Sequence, residues 1–397
     1  MIAKNMQDLV NNSSTIRAMF EEGKRLKKLY GEDKVFDFSL GNPNVQAPKQ
    51  VEDAILELIK EYPSPILHGY MNNSGYEFVR EKIADHINQK QGTDLAAENI
   101  VMTVGAAGGL NVICKTLLDP GDEVVVFRPY FGEYRAYVSN VGGKLIEVSS
   151  NSDTFYPDLE DLEKKISSKT KMLIINTPNN PTGVVYPEDF IIDLCSLLEA
   201  KQKEYQRQIY LISDEPYREL VYDGLFVPYL TKYYKNTIVA YSYSKSLSLP
   251  GERIGYLVIP KEVEDAGEVC AGINVATRIL GFVNAPSLMQ LVVAKCLNAK
   301  VNIEFYEKNR NKLYEGLRDI GFECIKPQGA FYLFMKSPME NEVDFCELAK
   351  KHNILMVAGS SFSSPGYVRL AYCTSYETIC NALPAFKALA KECGVGK

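Results

Sequence analysis

Residues 100–127 read Ile100-Val-Met-Thr-Val-Gly105-Ala-Ala-Gly-Gly-Leu-Asn-Val-Ile-Cys-Lys-Thr-Leu-Leu-Asp119-Pro-Gly-Asp122-Glu-Val-Val-Val-Phe127. Ile100 to Val104 is a short, β-branched apolar run, which predicts a strand, and Gly108 to Leu118 carries apolar residues at helical spacing. Asp119-Pro-Gly-Asp122 is turn chemistry, and Glu123 to Phe127 is a second strand. Strand, helix, turn and strand in this order form one β-α-β unit.

The alternation continues outward. Lys144 to Val148, Lys171 to Asn176, Gln208 to Ser213, Thr237 to Tyr241 and Arg253 to Ile259 read as further strands, with helices near Leu159 to Ile166 and Asp189 to Lys203 between them. Nearly continuous apolar strands separated by helices predict an α/β fold, a mostly parallel seven-stranded sheet flanked by helices, with ligands at the carboxyl ends of the strands. After Pro260 long helical patterns take over, at 262–280, 287–299 and 302–320. A smaller α/β unit follows, with strands at 331–335, 354–357 and 367–372 and helices at 344–351 and 376–392. An amphipathic helix at 15–29 and an extended run at 35–40 open the chain, so the smaller domain is expected to be built from both chain ends. The expected division is an N-terminal arm and part of the small domain at 1–48, a large domain at 49–290 and a small C-terminal domain at 291–397.

Bulk composition narrows the function. The chain has 397 residues, a hydrophobic fraction of 46%, a charged fraction of 24% and a net charge of -6, which gives no reason to expect nucleic acid or an anionic membrane as partner. No apolar run is long enough to span a bilayer, and the first residues lack the apolar core of a signal peptide, so a cytoplasmic location is expected. The three histidines stand at no metal-ligand spacing, and no metal is expected.

Chemistry-bearing residues collect where strands end. Lys245 follows the strand Thr237 to Tyr241 in Ser242-Tyr-Ser-Lys245, and Arg253-Ile-Gly255 comes shortly after. A lysine in that setting can form a Schiff base while the hydroxyls of Ser242 and Ser244 and the fixed charge of Arg253 hold a phosphate. The first amides of the helix after Val104, at Gly105, Ala106 and Ala107, point the same way, as a helix N-terminus favours anions. A Schiff base beside a phosphate is what pyridoxal 5'-phosphate requires. Asp214 ends the strand 208–213 and can keep a pyridine nitrogen protonated, with Tyr217 three residues on to bond a phenolate. Asn180, in Asn179-Asn180-Pro181-Thr182-Gly183, is held by a proline-stiffened loop and can donate an amide hydrogen bond. Phe131 follows the second strand and can stack on a ring. Each motif alone reads equally as a turn, a cap or packing.

Taken in order, the set resembles class I aminotransferases, the aspartate aminotransferase-like enzymes of fold type I. The likeness runs from Gly41-Asn-Pro43 to Tyr367-Val-Arg369-Leu-Ala371. It implies pyridoxal 5'-phosphate as cofactor and amino transfer between an L-amino acid and a 2-oxo acid, 2-oxoglutarate by family habit, through a ping-pong Schiff-base mechanism. It further implies that Lys245 is the Schiff-base lysine, Asp214 the pyridine-nitrogen partner, Tyr217 and Asn180 the phenolate partners, and that Ser242, Ser244, Arg253 and the 105–107 amides hold the phosphate. Phe131 falls at the ring-stacking position, Gly41 and Arg369 at the substrate carboxylate, and Tyr70 matches a tyrosine lent to the neighbouring subunit's phosphate, which implies a homodimer with shared sites.

Two positions depart from the pattern. Many related bacterial enzymes carry a lysine for the distal carboxylate of aspartate where this chain has Ala107. Others use an arginine before an Asn-Pro segment, and Arg278 lies two residues off that register from Asn284-Ala-Pro286. Neutral or aromatic amino donors therefore stay open beside aspartate. A carbon-sulfur β-lyase would share the same lysine, aspartate and phosphate site, and a non-catalytic cofactor-binding regulator is a third reading.

Overall fold

The computed structural model describes residues 2–11 and 15–395. Among the described residues there are twelve strands: β1 (Phe36–Asp37), β2 (Ile100–Thr103), β3 (Glu123–Phe127), β4 (Lys144–Val148), β5 (Thr170–Asn176), β6 (Tyr210–Asp214), β7 (Thr237–Ser242), β8 (Gly255–Val258), β9 (Tyr332–Lys336), β10 (Ile354–Leu355), β11 (Val357–Ala358) and β12 (Tyr367–Ala371). Seven of them form the large sheet in the order β2-β8-β7-β6-β5-β3-β4. Only β8 runs antiparallel, to both β7 and β2. The sequence reading had the strands and the mostly parallel character, and the reversal of β8 is set by the short return through Ser248 to Arg253, which leaves no room for a helical crossover.

Burial alternates along the strands. On β3, Val124 and Val126 enter one apolar cluster and Val125 and Phe127 another, all within 4% exposure. Both faces of the sheet are therefore covered, which is why these strands read as unbroken apolar runs. The helix Gly105–Leu117 buries Leu110, Ile113 and Cys114 against one face, and Glu188–Tyr205 buries Ile191, Leu194 and Leu198 against the other.

Strand β1 pairs in parallel with β10, matching Phe36 to Ile354 and Asp37 to Leu355. The two ends of the chain thus share one smaller unit, whose core holds Phe38, Leu333, Ile354, Leu370 and Phe386, all fully buried. The extended run at 35–40 shortens to β1, the run 354–357 splits into β10 and β11, and the helix expected from Glu262 begins at Ala266. The helices Lys49–Glu61, Ser64–His68, Glu77–Gln91 and Glu133–Ser139 had not been read from the sequence. Glu77–Gln91 is typical: its buried face is only Val79, Ile83, Ala84 and Ile87 beside Arg80, within a run of charged and amide residues. Among the described residues no helix is long and apolar enough to cross a membrane.

Candidate active site

The carboxyl ends of β5, β6 and β7 lie side by side and deliver Asn176, Asp214 and Ser242 to one cavity of about 920 Å³ counted with its open mouth. The helix after β2 adds Ala106 and Ala107, and the small domain adds Gly41, Tyr332 and Arg369.

Asp214 is the last residue of β6 and 5% exposed. Its Oδ2 accepts the Tyr134 hydroxyl at 2.5 Å, and its backbone carbonyl accepts Asn176 Nδ2 at 2.9 Å. Oδ1 is buried without any hydrogen-bond partner. Burial pushes this carboxyl up to about 7, against the pull of the tyrosine hydrogen bond. A protonated pyridine nitrogen would satisfy Oδ1 and return the group to its charged form.

Ser242 caps the one-turn helix Tyr243–Ser246: its hydroxyl accepts the amide of Ser244 at 3.2 Å and donates to the Ser244 hydroxyl at 2.8 Å. This turn aims Lys245 across the cavity. Its ammonium donates to the carbonyl of Gly41 at 2.7 Å and lies 5.3 Å from the ring centroid of Phe331. Burial brings the Lys245 pKa down to about 8, and the cations Arg369 and Arg253 add to the shift while Cys373 opposes it.

Gly105 starts its helix at φ 70°, and a Cβ there would stand 3.0 Å from Arg253 Nη2. The absent side chain is what lets the guanidinium close on the helix N-terminus. Arg253 itself takes a left-handed φ of 54° and donates to the carbonyl of Pro250 at 3.0 Å. Amides at a helix start, two serine hydroxyls and an arginine form a donor set suited to a phosphate dianion.

Arg369 on β12 is 3% exposed, its guanidinium 4.4 Å from the Tyr332 ring centroid and 4.7 Å from that of Phe362. Nη1 donates to Asn180 Oδ1 at 3.1 Å and Nη2 to the carbonyl of Ser39 at 2.8 Å, and buried Nε has no partner. Burial lowers its pKa from the ordinary arginine value. The Tyr217 and Tyr332 hydroxyls stand 3.0 Å apart, and a Cβ on Gly41 would fall 1.9 Å from the Tyr332 oxygen, so only glycine fits there.

Phe131 lines the cavity and meets Tyr134 edge-on at 5.6 Å. Tyr70 is 90% exposed and Arg278 lies on the surface near the end of the helix Ala266–Ile279, and neither lines the cavity of its own chain. Tyr134, Tyr332 and Asn176 were missed by the sequence reading. Tyr134 and Tyr332 sit in aromatic-rich segments that read as core, and Asn176 was taken only as the end of its strand.

The partnerless carboxylate oxygen of Asp214, the phosphate-type donor set and the lysine between them fit pyridoxal 5'-phosphate. The family model for aminotransferase class I and II matches residues 33–386. The aspartate aminotransferase of Thermotoga maritima is 32% identical over 89% of this chain and 90% of its own. An aminotransferase structure from Eubacterium rectale superposes with a TM-score of 0.96 at 46% identity, covering 99% of both chains. The Thermus thermophilus aspartate aminotransferase with maleate gives 0.86 at 27% identity over 98% of this chain and 99% of that one. The lysine at the end of β7, the aspartate at the end of β6 and these likenesses together place the chain in the class I and II aminotransferase family, as a pyridoxal phosphate-dependent aminotransferase.

Proposed function

We propose that the chain transfers the amino group of an L-amino acid with an uncharged side chain to a 2-oxo acid in two half-reactions at one site. The observation that carries the side-chain preference is the cation inventory of the cavity: Lys245, Arg253 and Arg369 are its only cationic lining residues among those described, and each already has a task. Arg253 with Ser242, Ser244 and the amides of Gly105, Ala106 and Ala107 holds the cofactor phosphate. Asp214 would keep the pyridine nitrogen protonated, Tyr217 and Asn180 would bond the phenolate oxygen, and Phe131 would stack on the ring. Arg369 takes the substrate α-carboxylate through Nε and a terminal nitrogen, with Gly41 permitting close approach of the backbone.

When bound, pyridoxal phosphate supplies an electron sink that stabilises negative charge at the substrate α-carbon. Lys245 would hold the group covalently, and as a free amine it would take the substrate α-proton; a pKa of about 8 leaves a usable fraction of free amine near neutrality. Arg369 and Asn180 fix the carboxylate, and so the direction in which the α-hydrogen points. The second half-reaction returns the amino group to a 2-oxo acid. 2-Oxoglutarate is the acceptor proposed by family likeness alone.

We place the protein as a cytoplasmic homodimer, with the exposed Tyr70 reaching the neighbour's phosphate. The helix Ser287–Lys295 packs on Lys49–Glu61 in the large-domain core, so we put the first domain boundary near 48 and the second after Lys295. A panel of amino donors mixed with holoenzyme, followed by the change in cofactor absorbance, tests the function. Alanine and aromatic donors are expected to react faster than aspartate. Aspartate reacting fastest would overturn the side-chain assignment, and pyruvate with ammonia released from cystathionine at a higher rate than any amino transfer would replace the reaction with β-elimination.

A further inference from the structure

A second cavity, roughly 1050 Å³ counted with its mouth, adjoins the lysine segment. Ser242, Ser244 and Lys245 line the active site, whereas Tyr243, Ser246 and Leu247 line this one, and no residue lines both. Its wall is aromatic. Tyr241 and Tyr256 stack at 4.6 Å, and Tyr243 meets them edge-on at 5.1 and 5.9 Å.

Two polar groups in this wall are unsatisfied. Glu219 Oε1 accepts the Tyr241 hydroxyl at 2.9 Å, but Oε2 is buried and has no partner. Tyr229 is 3% exposed and its hydroxyl has no partner either. A buried donor or acceptor left unpaired is costly, so each of these two groups calls for a partner.

The charges around the cavity sort into used and unused. Arg218 is spent: it is ion-paired with Glu215 and donates to the carbonyls of Val227 and Pro228 at 3.0 and 2.9 Å. Lys90 and Lys300 are exposed to solvent, where their charge is screened. Burial brings the pKa of His86 down to about 4, so it adds no cation near neutrality. Among the described lining residues Glu219 remains as the one carboxylate without an ion pair; burial raises its pKa, and a bound cation would favour its charged form.

We infer that this cavity binds a small organic cation, an ammonium on an apolar body of about one aromatic ring, at a site separate from the amino acid pocket. The ammonium donates to Glu219 Oε2, with the Tyr229 hydroxyl beside it, and the body lies against Tyr241, Tyr243 and Tyr256, whose π faces favour a cation and its carbon skeleton.

The probe is N,N-dimethylbenzylamine, protonated near neutral pH and, as a tertiary amine, unable to form an imine with the cofactor. Calorimetric titration of holoenzyme is expected to show saturable binding of one equivalent per chain. Affinity should fall at least about tenfold, about 1.4 kcal/mol, in Glu219→Gln and for the uncharged analogue benzyl alcohol. Ala299→Trp, which fills the cavity from its rim, should abolish binding while leaving amino transfer and cofactor absorbance unchanged. No saturable binding to the wild-type holoenzyme overturns the inference, as does equal affinity in either variant. Should Glu219→Gln fail to fold, Ala299→Trp and benzyl alcohol decide the matter alone.

Discussion

The Tyr134 hydroxyl donates to Asp214 Oδ2 at 2.5 Å, from a residue 80 positions earlier in the chain. This hydrogen bond favours the charged carboxylate, against the burial that raises its pKa to about 7. If Asp214 serves the cofactor's pyridine nitrogen as proposed, Tyr134 is its positioning residue, although it lies outside every motif. A hydrogen bond to a charged group contributes about 1.5–3 kcal/mol. Tyr134→Phe should weaken pyridoxal phosphate binding to the apoprotein about 10–100-fold in equilibrium dialysis, and an unchanged dissociation constant would remove the role.

Asp214 also makes apoprotein stability depend on pH. Its folded-state value of about 7 exceeds the ordinary carboxylate value of about 3.9, so between the two the folded chain holds a proton the unfolded chain has lost. Stability from this group is greatest below about pH 4 and is lost as pH rises through 7, by at most about 4 kcal/mol. In calorimetry, Asp214→Asn apoprotein should melt above the wild type at pH 8, with the gap closing near pH 4. A gap independent of pH would contradict the assignment.

For Lys245 the direction is opposite. An amine with its pKa lowered to about 8 is protonated, and unreactive, below that value. The rate at which pyridoxal phosphate attaches to apoprotein, read from its visible absorbance, should climb with pH and level off above about 8, whereas an ordinary lysine would keep climbing to about 10.4. Lys245→Ala should show no attachment and lose amino transfer by at least about 10²–10⁴-fold.

Arg369→Lys keeps the charge and loses the fork. With Nε the unpaired donor of a buried guanidinium, the lysine variant should lower kcat/KM for the amino donor about 10–100-fold, mostly through KM. Steady-state kinetics showing no change would move the carboxylate site elsewhere.

If Tyr70 serves the neighbouring subunit, two crippled variants should rescue each other. Mixing Tyr70→Ala with Lys245→Ala chains equally and refolding gives half hybrids, each with one intact site, and so about one quarter of wild-type activity. Activity no higher than that of the separate variants would place Tyr70 in its own chain's site or outside the chemistry.

The sheet was legible because both its faces are buried: runs such as Val124 to Phe127 leave strand as the simplest reading, and the carboxyl ends of β5, β6 and β7 lead into residues of the cavity. What was not legible depends on distant packing. Tyr332 reaches Tyr217 across 115 residues, and nothing local distinguishes it from the core aromatic Phe331 beside it. Helix Glu77–Gln91 was hidden by its polar composition, and the reversal of β8 by the fact that an apolar run carries no direction.

The pairing of β1 with β10 gives synthesis a schedule. Phe36 and Phe38 donate their amides to Asn353 and Leu355 at 2.8 and 2.9 Å. A ribosome adding about 5–20 residues per second needs about 15–60 s to supply those acceptors. The large sheet can close around its own core in that interval. Ser39, which holds Arg369, lies in the segment that has to wait, so the pocket around Arg369 is assembled last, when the chain is almost complete.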